Sequence, residues 1–165
     1  MIILGIDPGI ANTGYGVVAS QANRATAHDY GNIRTNAQTA SETRLKQIHD
    51  EVARLITEFA IDAVALEEIF FSRNVSSALV VGEVTGIVKL AAANAGCPVA
   101  TYTPSQVKQA VVGYGQAKKT QMQRMVQALL RLREAPRPDH AADALAVALC
   151  HARSYKGLEL RERYQ

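Results

Sequence analysis

Apolar positions open the chain as an almost unbroken run, IILGID over residues 2–7, the pattern of a strand buried on both faces. Two further strand patterns follow, TGYGVVAS over 13–20 and ATAHDYGNIRT over roughly 25–35, and Asn12 and Gly14 predict the turn between the first two. Near Ser41 the period changes. Leu45, Ile48, Val52, Leu55, Ile56 and Phe59 recur at helical spacing, while Arg44, Lys46, Asp50, Glu51 and Glu58 lie off that stripe. IDAVALEE over 61–68 returns to a buried strand and, like the first, finishes in carboxylates.

The second half alternates. Residues 72–95 are helical in pattern and rich in Ala, Val and Leu until Gly96 stops them. CPVATYT over 97–103 predicts a short strand, and Pro104 and Ser105 open a short helix carrying Val107, Lys108 and Val111. VGYGQAKK over 112–119 reads as a loop, followed by a basic helix over roughly 120–133 that Pro136 and Pro138 separate from the last one. That last helix is predicted over 139–153, apolar through Leu145, Val147, Ala148 and Leu149, with residues 154–165 as a polar, flexible tail. No repeat or linker divides residues 1–153. Strands first and then βα alternation predict a single α/β domain, one mixed sheet covered by helices.

Composition narrows the class. A chain of 165 residues is long enough to bury one sizeable core, and its apolar (48%) and charged (20%) fractions exclude a disordered or fibrous protein. No stretch approaches the roughly 18 uncharged apolar residues of a membrane span, and no basic segment precedes an apolar one at the start, so neither membrane insertion nor secretion is expected. Cys97 and Cys150 stand apart, as two reduced thiols of a cytoplasmic protein would. The net charge of +3 says little, but its distribution says more. Between residues 108 and 137 lie Lys108, Lys118, Lys119, Arg124, Arg131, Arg133 and Arg137 against the single acid Glu134, a surface suited to a polyanion.

Four side chains carry candidate chemistry. Asp7 and Glu67 close two apolar strands, at the sheet edge where α/β folds bind ligands. His140 and Asp143, three apart at the start of the last helix, share one helical face. Singly, Asp7 before Pro8 and Gly9 reads equally as a turn residue or a phosphate contact, and Asp143 as a complement to the helix dipole. Asp139 reads as the N-cap of the last helix. Converging, the unpaired carboxylates would repel unless a divalent cation resolved the conflict, and oxygen-rich sets of this kind suit Mg²⁺ and Mn²⁺.

Taken in order, IDPGIANTGYGVV, LEEIFFSRNVSSAL, QVKQAVVGYGQAKKTQ and HAADALAVALCHA resemble the RuvC family of Holliday-junction resolvases over residues 1–153. The resemblance implies an RNase H-like fold with a mixed five-stranded sheet, the first three strands antiparallel and the others parallel, and helices on both faces. It implies a homodimeric, metal-dependent endonuclease of bacterial, nucleoid-associated cytoplasm that nicks four-way DNA junctions symmetrically, with the RuvA–RuvB branch-migration complex as partner. Asp7, Glu67, His140 and Asp143 take the metal-binding, catalytic positions for two Mg²⁺ or Mn²⁺ ions. Many family members carry Asp where this chain has His140. Imidazole is the softer ligand, so Mn²⁺ is expected to be favoured.

Phe70 and Phe71 fall where the family stacks an aromatic on unpaired bases, with Phe70 expected to face DNA. Arg73 and Asn74 suit phosphate contacts. Lys108 and Lys119 match basic positions near the active site, Lys119 as a catalytic residue neutralising the scissile phosphate. Lys118 and Arg124 supply general attraction, and Tyr114, between two glycines, settles on DNA. Gly82 and Gly86 fall on the helix that forms the dimer interface by resemblance. Three alternatives remain: an RNase H-like nuclease of RNA–DNA hybrids, a junction-binding module without catalysis, and a fragment of an actin- or hexokinase-like ATPase, which shares the D-x-G hairpin.

Overall fold

The computed structural model describes residues 1–22, 24–68 and 75–163. Phe70, Phe71, Arg73 and Asn74 lie outside the described residues. Chain order is β1 (Ile2–Asp7), β2 (Asn12–Gln21), β3 (Arg24–Arg34), α1 (Ser41–Glu58), β4 (Ala63–Glu67), α2 (Val75–Asn94), β5 (Val99–Tyr102), α3 (Pro104–Val112), α4 (Lys119–Leu130) and α5 (Asp139–Arg163). The strands form one mixed sheet in the order β3-β2-β1-β4-β5. β1 to β3 pair antiparallel, while β1 pairs β4 and β4 pairs β5 in parallel. The mixed sheet covered by helices is the one the pattern predicted, and its five strands and their directions are those the resemblance implied.

Side-chain alternation assigns each strand residue to a layer. Leu4, Ile6, Val17, Val64 and Leu66 join Ile48, Val52 and Leu55 of α1 and Val84, Val88, Ala91 and Ala92 of α2. On the opposite face Ile3, Val18 and Ala65 meet Val107 and Val111 of α3, Met122 and Val126 of α4 and the apolar run 145–150 of α5. α5 is the central helix of that layer, and Tyr102 of β5 meets its His151 through a 2.7 Å contact between the phenol oxygen and Nδ1.

Several local expectations change. Asn12 and Gly14 do not make the first turn. Both lie inside β2, Gly14 opposite Asp7, and residues 8–11 turn the chain. α4 stops at Leu130, earlier than the helix expected to 133, because Arg131 adopts a left-handed conformation (φ 53°) and its N–H closes the helix on Ala128 and Gln127. α5 continues through residue 163, past the predicted end at 153, over a sequence of helix-favouring Leu, Glu, Lys and Arg without proline. By length and composition the Ser77–Asn94 stretch of α2 is also apolar enough to span a membrane, which the sequence reading did not expect. Its buried side, however, is spent on α1 and the sheet, and Glu83 and Lys89 interrupt its outer side.

Candidate active site

Parity places the carboxylates. Asp7 has the parity of Ile3, and Glu67 that of Ala65, so both point to the α5 face. The parallel register sets Ile6 beside Leu66, which leaves Asp7 and Glu67 as neighbours at the carboxyl edge. The turn after Asp7 is braced: the buried Thr13 hydroxyl donates to the Gly9 carbonyl at 2.8 Å, and Thr35 N–H donates to the Ala11 carbonyl at 3.2 Å.

Glycines let α5 reach that edge. A Cβ on Gly5 would stand 2.0 Å from the Ala144 carbonyl oxygen, and one on Gly14 2.1 Å from that of His140. Only hydrogen fits between this helix and these strands. The close approach brings His140 Nδ1 to 2.7 Å from Asp7 Oδ2, a charge-assisted hydrogen bond when Nδ1 carries the proton. Lys119, the first residue of α4, bridges to Asp143 Oδ2 at 3.6 Å and to Asp139 Oδ2 at 3.0 Å. Asp139 is therefore not an N-cap. It is the first residue of α5, and its carboxylate is held across the helix–helix gap by Lys119 and by Gln123 Nε2 at 2.9 Å.

These positions perturb one another. Burial first, then the charges of Asp7 and Asp143, push the Glu67 carboxyl from an ordinary 4.5 up to about 7, with Lys108 opposing. Burial also raises Asp143, against the pull of Lys119. Lys119 is itself raised, chiefly by its bond to Asp139. Glu67, Lys108, Lys119 and Asp143 line one cleft of about 300 Å³, between β4, α3, α4 and α5.

No three His, Cys, Asp or Glu side chains among the described residues are gathered closely enough to form a metal cage. The donor set nevertheless fits a divalent cation. Three carboxylates and an imidazole share one sheet edge, and two of those carboxylates are raised by burial and by neighbouring charge, a cost that a cation would remove.

Of the other predicted positions, Tyr114 is exposed in the loop that Gly113 (φ 98°) opens after α3. Lys118, just before α4, and Arg124 on it are both exposed. Gly82 and Gly86 stand on the open side of α2, where an added Cβ would meet nothing within 4 Å. Sequence reasoning missed the spacing role of Gly5 and Gly14 and the pairing of Asp139. For the first, glycine inside a buried strand pattern was the available signal.

The chain is similar to known proteins of one family. The family model described as crossover junction endodeoxyribonuclease RuvC matches residues 3–151. The chain is 55% identical to that enzyme from Syntrophomonas wolfei, over 94% of this chain and 91% of the relative. It is 54% identical to the one from Alkaliphilus oremlandii, covering 92% and 93%. The Thermus thermophilus RuvC structure in complex with Holliday junction substrate superposes with a TM-score of 0.90 at 45% identity, covering 95% of this chain and 96% of that one. The yeast mitochondrial resolvase Ydc2, at 12% identity and a TM-score of 0.70, shares the fold.

Proposed function

This chain belongs to the RuvC family of crossover junction endodeoxyribonucleases, and from that premise we propose how it resolves Holliday junctions: by paired symmetric nicks made at the edge bearing Asp7, Glu67, His140 and Asp143. The observation that carries this reading is the convergence of Asp7 and Glu67, on adjacent parallel strands, beneath the α5 residues His140 and Asp143.

The family is dependent on divalent metal. Asp7, Glu67, His140 and Asp143 would hold two ions, Mg²⁺ or with preference Mn²⁺, and such ions when bound supply the activation of water and the charge stabilisation of phosphodiester hydrolysis. Lys119 and Lys108 face the same cleft. They orient the scissile phosphate and neutralise charge that develops on it. Lys118, Arg124 and Tyr114 guide the flanking strand, and Phe70, Phe71, Arg73 and Asn74 contact the opened junction centre. RuvA–RuvB is the partner, and cytoplasmic, nucleoid-associated DNA the setting.

Two active sites on one junction require two copies. The outward stripe of α2, with exposed Leu79 and Leu90 and the open Gly82 and Gly86, suits a second copy meeting it about a two-fold axis. The test is incubation with a synthetic four-way junction, a linear duplex and an RNA–DNA hybrid, in Mn²⁺, Mg²⁺ or chelator, beside Asp7→Asn. Symmetric nicks on the junction alone, abolished in the variant, are expected. Preferential cutting of the hybrid would overturn the reading.

A further inference from the structure

A second cleft, of about 780 Å³, is bordered by Asp139 and His140 at the start of α5 and shares no lining residue with the Glu67–Lys108–Lys119 cleft. Its size falls within the roughly 300–1,000 Å³ that holds a nucleotide-sized ligand. Its walls come from separate elements: Asn12 from the start of β2, Asn32 and Arg34 from the end of β3, and Arg137 from the loop before α5. The register sets Arg34 opposite Asn12 and Asn32 opposite Gly14. Gly14 lies directly under His140, so the two amides and Arg34 share the sheet face that carries Asp7.

These groups have little to do inside the fold. Arg34 and Arg137 are exposed, and neither guanidinium makes an ion pair among the described residues. Asn32 Oδ1 is buried with no hydrogen-bond partner. Asp139, the one acid in the wall, is already neutralised by Lys119 at 3.0 Å and bonded by Gln123. What remains is a concave surface of two guanidiniums and two amides, whose N–H groups are donors suited to phosphate; the Asn32 Oδ1 acceptor takes no part in that recognition.

We propose that this cleft is a second phosphate subsite: it holds the backbone of the strand being cut, beside the scissile phosphate, with Arg34 and Arg137 as charged walls and Asn12 and Asn32 as neutral contacts. The inference rests on the nuclease reading and extends it. The reacting phosphodiester is flanked by cations on both sides, Lys108 and Lys119 on one and Arg34 and Arg137 on the other.

The test is equilibrium binding of a synthetic four-way junction without divalent metal, across a salt series, for the wild type and the Arg34→Gln, Arg137→Gln double variant. Two lost phosphate contacts should reduce the slope of log affinity against log salt by about 1.4–1.8 and so weaken binding roughly 25–60-fold near 0.1 M salt. Arg34→Lys with Arg137→Lys should keep the slope, and unchanged thermal midpoints should show that both variants fold. An unaltered slope and affinity in the double Gln variant would overturn the subsite. Cleavage by the wild type is read separately with Mn²⁺, and its absence would count against the nuclease reading.

Discussion

Gly14→Ala changes no functional group, yet it should damage both stability and catalysis. The added methyl would lie 2.1 Å from the His140 carbonyl oxygen, 2.4 Å from its carbonyl carbon and 2.9 Å from its Cβ. Ordinary contact begins near 3.4 Å, so the start of α5 must retreat by roughly 1.3 Å. The obstacle is backbone, not the end of a flexible side chain. Overpacking of this kind costs about 1–3 kcal/mol, and the upper end applies here. For a chain of this length that is a fall of about 6–12 °C in thermal midpoint. The same retreat separates His140 from Asp7, now 2.7 Å apart, and tilts Asp143 away from Glu67. A displacement of about 1 Å can cost on the order of 100-fold in rate. The assay is calorimetry together with single-turnover nicking of a junction at saturating protein and Mn²⁺. A variant within about 2 °C and about threefold of the wild type would show that α5 is not held against β2 by this glycine.

Three other outcomes follow from the same geometry. Gly86→Ala meets open space, so it should leave the monomer fold unharmed or stabilise it by up to about 1 kcal/mol through helix propensity; sedimentation should show a weakened dimer, and an unchanged one would remove α2 as the interface. Glu67 titrates near 7 in the fold against an ordinary 4.5, so protonation favours the folded state. Its contribution to metal-free stability is full below 4.5 and declines as pH rises through 7. After discounting for partial exposure that decline is about 1–2 kcal/mol. The buried, depressed His151 works in the opposite direction, so the readout is the difference between wild type and Glu67→Gln in chelator; a difference that stays constant from pH 5 to about 8 would refute the assignment. Finally, Mn²⁺ should support cleavage better than Mg²⁺, and His140→Asp should shift the balance toward Mg²⁺. Equal rates with both ions at saturation would sink that expectation.

What could be read from the sequence was whatever a period or a strand end encodes. Apolar runs and strand ends predicted one mixed sheet covered by helices and singled out Asp7, Glu67, His140 and Asp143, which the structure brings to one sheet edge; the number and directions of the strands came from the resemblance. Gly14 was misread because glycine looks the same whether it frees a turn or makes room for a helix; only the position of His140 over it decides. Asp139 was misread for a similar reason. Its neighbours in sequence suggest a cap, whereas its partners Lys119 and Gln123 come from another helix. The second cleft was invisible because Asn12, Arg34 and Arg137 are far apart along the chain and join only through the β2–β3 register and the loop before α5.

The resting charges explain why the acids sit together without forming a cage. Asp7 has the imidazole of His140, Asp143 has the ammonium of Lys119, and Glu67, which has neither at contact distance, is the carboxyl raised furthest. Each acid is thus compensated differently, by a hydrogen bond, an ion pair or a retained proton. Were these residues to hold a divalent cation, as proposed, the hydrogen bond would open, the ion pair would loosen and the proton would leave. Lys119 set free from Asp143 would remain tethered by Asp139, beside the cleft where the phosphate arrives.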